Sequence, residues 1–211
     1  MGVRKVSHRG GNMIGLFPSI KMERMVAFES LIEQDYLYVL DYEPGVLGFE
    51  EQPLTIEYQW EDKPRRYTPD FQVRWGDREE LVECKPASRV DTEENQRKFA
   101  AARQWCQHNG QTFAVVTDEA LRGSHRLANI KLLTRYARMN VPAQITQQVT
   151  QHLQDTPSPL TLHALACLLS PRDPQSEIAT LLCLTFRHHI VLPLTQVPIS
   201  GDTPVYPATG G

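Results

Sequence analysis

Cysteine is scarce in this sequence and never paired. There are four in 211 residues, Cys84, Cys106, Cys167 and Cys183, with no CxxC among them. A zinc ribbon or a disulfide frame is thereby excluded, and reduced thiols in the cytoplasm are expected. Long apolar runs are also missing: nothing approaches the roughly 18 to 20 residues of a bilayer span. The start, MGVRKVSHRGGN, is basic but leads into no apolar signal segment, so neither export nor a membrane partner is expected. Nor is there a surplus of positive charge. Lys and Arg total 22 against 25 Asp and Glu, a formal net of −3. Proteins that grip nucleic acid unaided carry a basic excess, because phosphate neutralisation supplies most of the affinity. Any contact with DNA here is therefore local and assisted. Internal repeats and low-complexity tracts are absent.

What is present is an ordinary globular composition, 41% hydrophobic and 22% charged, with enough length for one domain and a smaller companion. Residues 1–20 read as a basic arm. KMERMVAFESLIEQDYLYVLD, residues 21–41, has helical spacing and stops before Pro44-Gly45. Leu54, Ile56, Tyr58 and Trp60 then alternate with polar residues as in a half-buried strand, EDKPRR reads as a turn, and TPDFQVRW and EELVECKP give two further strands. Residues 91–109 form an amphipathic helix stopped at Asn109-Gly110, TFAVVT a short buried strand, and 124–139 another helix. This order predicts an α/β unit spanning residues 21–140. Segments 143–155, 160–169 and 175–187 look helical, and HHIVLPLTQVPISGDTPVY suggests a two-stranded wing. Residues 143–205 are thus expected to form a winged-helix-like domain.

The chemistry concentrates in the predicted hairpin. Asp70 follows Pro69 at the start of one strand, and Glu83 and Lys85 share one face of the next, while Val82 and Cys84 take the other. A tight turn between antiparallel neighbours brings Asp70 beside Glu83. Two carboxylates this close repel unless a cation lies between them, and oxygen donors on a hydrated site select Mg²⁺, with Mn²⁺ as substitute, over zinc. The upstream helix adds a glutamate. Glu33 and Glu29 both fall on apolar stripes, and periodicity alone does not choose between them. A bare D…ExK is short, and acids and bases on strand edges often only pair in solvent.

Three ordered blocks carry more. FPSIKMERMVAFESLIEQDYLYVLDYEPGVLGFEEQPLTIEY, YTPDFQV and LVECKPA resemble the TnsA family, the endonuclease subunit of heteromeric bacterial transposases, over residues 8–135. The resemblance implies a restriction-endonuclease-like, Mg²⁺-dependent core. It puts Glu33 in the helix position before the "EQP" block, Asp70 and Glu83 as further metal ligands, the main-chain carbonyl of Cys84 as an assisting ligand, and Lys85 as the catalytic lysine. It further implies cleavage of the 5′ strand at transposon ends, a separate DDE recombinase (TnsB-like) for the 3′ strands, and an AAA+ ATPase regulator (TnsC-like) contacted by a winged-helix-like domain. A stand-alone restriction or repair nuclease, and an assembly module bridging recombinase and ATPase, are the competing readings.

Other features are weaker. Arg122, Arg126, Lys131, Arg135 and Arg138 form a ragged basic stripe that could follow a phosphate backbone. Arg4, Lys5, His8 and Arg9 of the arm could enter a groove. His188-His189 point apart on a helix or strand and are read as structural, and Trp60, Trp75 and Trp105 as core.

Overall fold

The computed structural model describes residues 15–156 and 158–208, which divide into two compact units between Gly123 and Ser124. The arm residues Arg4, Lys5, His8 and Arg9 lie outside the described residues.

The first unit opens with an antiparallel hairpin, β1 (Gly15–Pro18) and β2 (Met25–Phe28), in register from Gly15↔Phe28 to Pro18↔Met25. Here the expected helix over 21–41 is wrong at its start. MVAF alternates exposed and buried and is a strand, and α1 (Leu31–Tyr42) begins only after Ser30. Ser30 is extended, and its hydroxyl accepts the amide of Glu33, which fixes the helix start. Helical spacing upstream came from apolar residues that also fit period two, and the local cap decided.

The sheet differs from the expected meander as well. Its order is β3 (Val46–Glu51), β6 (Phe71–Trp75), β7 (Glu79–Lys85), β8 (Thr112–Thr117). The first three strands are antiparallel, and β8 runs parallel to β7. The segment read as the first strand, β4 (Ile56–Trp60), stays out of this sheet. It pairs with β5 (Lys63–Tyr67), formed by most of the stretch read as a turn. Only Glu61 and Asp62 turn, both with positive φ (49° and 56°), as a two-residue hairpin of right-handed twist requires. Between β7 and β8 the chain passes through α2 (Ala87–Val90) and α3 (Glu93–Asn109). Thr92 caps α3 at its start, and Gly110 ends it in the left-handed region at φ 67°, where a Cβ is strained. The unit closes with α4 (Asp118–Arg122).

Two cores fill the faces. Val82 and Cys84 of β7 join Phe71, Val73 and the buried face of α1, including Leu37 and Leu40. Leu81, on the other face, joins Ile56, Tyr67, Ala102 and Cys106 between the β4–β5 hairpin and α3. The period-two split of β7 expected from sequence is thus what the cores exhibit.

The second unit contains α5 (Arg126–Thr134), α6 (Ala143–Asp155), β9 (Leu160–Thr161), α7 (Leu162–Leu169), α8 (Pro174–Phe186), β10 (Ile190–Val191) and β11 (Pro204–Pro207). Its small sheet is antiparallel in the order β10-β11-β9. Leu165, Leu181, Leu184 and Ile190 are fully buried within it.

Candidate active site

Hairpin register builds the site. The β6–β7 pairs run from Arg74↔Glu79 to Phe71↔Val82, so one step further Asp70 faces Glu83. At this end β6 has finished while β7 continues along β8 to Lys85. Asp70 fills the gap: its Oδ2 accepts the Cys84 amide at 2.7 Å, doing with a carboxylate what a strand neighbour would have done. Glu83 is 3% exposed, and both its oxygens are engaged. Oε1 meets the Lys85 ammonium at 2.6 Å, and Oε2 accepts the Tyr67 hydroxyl at 2.7 Å. Lys85 keeps 28% of its side chain in solvent, so it stands at the mouth and not in the interior.

Glu33 is nearly buried in the first turn of α1. Its oxygens accept the Glu29 amide and the Ser30 hydroxyl, each at 2.8 Å, tying the carboxylate to the helix start. Glu29 instead accepts from the Gln52 side chain at 3.0 Å. Glu29, Glu33, Gln52 and Asp70 line a cleft of about 750 Å³, together with Arg24 and Arg74. Glu83, Tyr67 and Lys85 are not on its wall; Asp70 is where cleft and buried carboxylate meet.

Charge is dense here. Burial pushes the Asp70 carboxyl well above the usual carboxylate range, and Glu83 and Glu33 push it further, against Lys85 and the Cys84 amide. Glu33 is raised chiefly by burial, opposed by its capping bonds and reinforced by Glu29 and Glu83. For Lys85 burial works against the ammonium, but Glu83, Asp70 and Glu33 outweigh it and raise its pKa. The Cys84 thiol is pushed up by burial and by the same acids, so it is an inert core group and not a thiolate. Tyr67 is raised by burial and by Glu83 and remains a hydrogen-bond donor.

Among the described residues no three His, Cys, Asp or Glu side chains are gathered closely enough to hold a metal as they stand. The three-carboxylate cage expected from sequence is therefore not preassembled, because α1 draws Glu33 to its own amides and Lys85 draws Glu83. The donor chemistry nevertheless fits a hard dication. Asp70 Oδ1 accepts nothing from the described residues, and the buried Gln52 Oε1 has no partner. In a strand the amide and carbonyl of one residue point to the same edge, so the Cys84 carbonyl lies on the side where β6 has ended. One or two carboxylates with water suffice for Mg²⁺.

Sequence reading overlooked Tyr67. It stands in the YTPDFQV block, at the end of a strand whose sequence reads as a turn. The basic stripe does not survive as one helix. Arg122 ends α4 and is bound to Asp35 at 2.6 Å, α5 begins at Arg126 and includes Lys131, and Arg135 already caps its end. His188 adopts φ 59° in the turn closing α8, where its amide and that of His189 satisfy the Thr185 and Leu184 carbonyls. Trp75 and Trp105 pack against the two cores of the first unit, and Trp60 lies under the Arg97 guanidinium at 3.6 Å.

A small mixed sheet flanked by helices, with an acid pair and a lysine where the central hairpin outruns its shorter strand, is consistent with the restriction-endonuclease-like class of nucleases. Residues 43–118 match the family model described as TnsA-like endonuclease N terminal, which supports a TnsA-type endonuclease domain in this segment. The matched segment holds Asp70, Glu83, Cys84 and Lys85 and lies wholly in the first unit; Glu33 precedes it. A search of curated proteins found no match. No helix among the described residues is long and apolar enough to cross a membrane.

Proposed function

We propose that this chain is the Mg²⁺-dependent endonuclease subunit of a cut-and-paste transposase, hydrolysing the 5′ strand at transposon ends. The carrying observation is the β6–β7 register, which opposes Asp70 to Glu83 with Lys85 on the Glu83 face. Asp70, Glu83 and the Cys84 carbonyl would hold the dication, with Mn²⁺ as substitute, and Glu33 adds a third negative charge beside them. When bound, Mg²⁺ supplies Lewis-acid polarisation of the phosphoryl oxygen and lowers the pKa of water. Lys85, charged and at the mouth, is suited to stabilise the extra negative charge on the phosphate being attacked. Asp70 orients by its bond to the Cys84 amide, and burial around Glu83 limits competing water.

The order α6, β9, α7, α8, β10, β11 with sheet order β10-β11-β9 supports a winged-helix-like second unit. We assign it to DNA and to an AAA+ ATPase partner, with a DDE recombinase cutting the 3′ strands. A net charge of −3 agrees with a nuclease delivered to DNA by such partners.

The test is strand cleavage on end-containing DNA with recombinase, ATPase and Mg²⁺ present. Asp70→Ala and Lys85→Ala should each abolish 5′ nicking while circular dichroism stays unchanged. Nicking by the Asp70→Ala protein would sink the site assignment. Efficient nicking by the wild-type chain alone would favour a stand-alone nuclease.

A further inference from the structure

Glu83 is almost fully buried, and a carboxylate so placed needs each oxygen satisfied. Two very different groups do this. Lys85 holds Oε1 from the same strand with a long side chain that is 28% exposed. Tyr67 holds Oε2 from outside the four-stranded sheet altogether. It comes from β5, where it stands opposite Ile56, and the residue is 5% exposed in the core formed with Leu81, Ala102 and Cys106. A packed ring with two side-chain torsions is a rigid mount, whereas an ammonium on four methylenes is not. Whenever Lys85 turns toward a phosphate, Tyr67 is the group left holding the Glu83 carboxylate.

We propose that Tyr67 is a positioning residue for the dication site: its hydroxyl fixes the Glu83 carboxylate in the orientation that binds metal, which makes the β4–β5 hairpin part of the catalytic apparatus. The inference rests on the nuclease reading and adds to it a residue that acts through Glu83. Ligating carboxylates are themselves hydrogen-bonded, and removing such an outer partner costs roughly 10- to 100-fold in metal affinity. Tyr67→Phe removes only the hydroxyl and leaves the ring packing in place.

The experiment is Mn²⁺ binding to the full chain without DNA, followed by electron paramagnetic resonance. Wild type is compared with Tyr67→Phe and with Tyr58→Phe on the same hairpin as control. Tyr67→Phe should bind Mn²⁺ about 10- to 100-fold more weakly, with Tyr58→Phe unchanged. In the cleavage assay the Mg²⁺ concentration for half-maximal rate should rise by a similar factor, with most of the rate recovered at saturation. Wild-type affinity in a folded Tyr67→Phe protein overturns the inference and leaves the nuclease reading standing. Absence of Mn²⁺ binding by wild type overturns both. Should Tyr67→Phe not fold, 3-fluorotyrosine is placed at position 67 of the otherwise native chain. Its fluorine resonance should shift on Mg²⁺ addition, and a resonance that Mg²⁺ does not move overturns the inference.

Discussion

At the scale of single residues the dominant fact is crowded negative charge around Asp70 and Glu83, with Lys85 set against it. Asp70 has its pKa raised by burial and by Glu83 and Glu33. Between its unfolded value, near 3.8, and its higher folded value, the native state holds a proton that the unfolded chain has lost. Stability of the metal-free protein therefore falls as pH climbs through that window. Asp70→Asn should remove this part of the slope and melt higher than wild type at pH 7 in EDTA. Thermal melts of the two proteins from pH 4 to 8 decide it, and parallel curves would show that Asp70 carries no such strain. The same residues mark how far the sequence could be read. Asp70, Glu83 and Lys85 were visible because a hairpin of known spacing has few ways to arrange them. Tyr67 was not, since its partner lies 16 positions away on a strand of another sheet.

At the scale of elements, α1 shows a local signal overruling a longer pattern. The Ser30 hydroxyl caps the Glu33 amide and the Glu33 carboxylate holds Ser30 and Glu29 in turn, and the helix starts there despite helical spacing that runs back to residue 21. Ser30→Ala should cost about 1 kcal/mol, read as a lower urea midpoint with unchanged slope. It also strips Glu33 of one of its two donors. A midpoint equal to wild type would mean that the cap contributes little. The β4–β5 hairpin shows the opposite case. KPRRY carries Pro and three cations and has little strand propensity, yet it pairs residue for residue with Ile56–Trp60. The strand forms because the Glu61-Asp62 turn returns it along β4 and Tyr67 is buried at its end. Pro64 is tolerated because the hairpin is only two strands wide.

At the scale of the whole molecule the two units carry different parts of the proposed activity. Glu33, Asp70, Glu83 and Lys85 all belong to the first, which contains the entire family match. The second holds α5 to α8 and the small three-stranded sheet. With a formal charge of −3, the chain has little general attraction for DNA. Alone at physiological salt it should bind duplex no more tightly than the roughly micromolar range of non-specific contacts. Fluorescence anisotropy across a salt series checks this. A nanomolar Kd without partners would contradict the assisted delivery proposed for it.

Taken by itself, the amino-acid order determined the polar and apolar faces of β7, the stop of α3 at Gly110 and the acid–acid–lysine spacing. Each depends on neighbours a few positions apart or on one tight turn, so short-range sterics are enough. The tertiary structure alone decided that Ile56–Trp60 leaves the main sheet and that Val46–Glu51 enters it. It also decided that Tyr67 reaches Glu83. Those outcomes depend on which distant surfaces bury one another, and no local period records that choice.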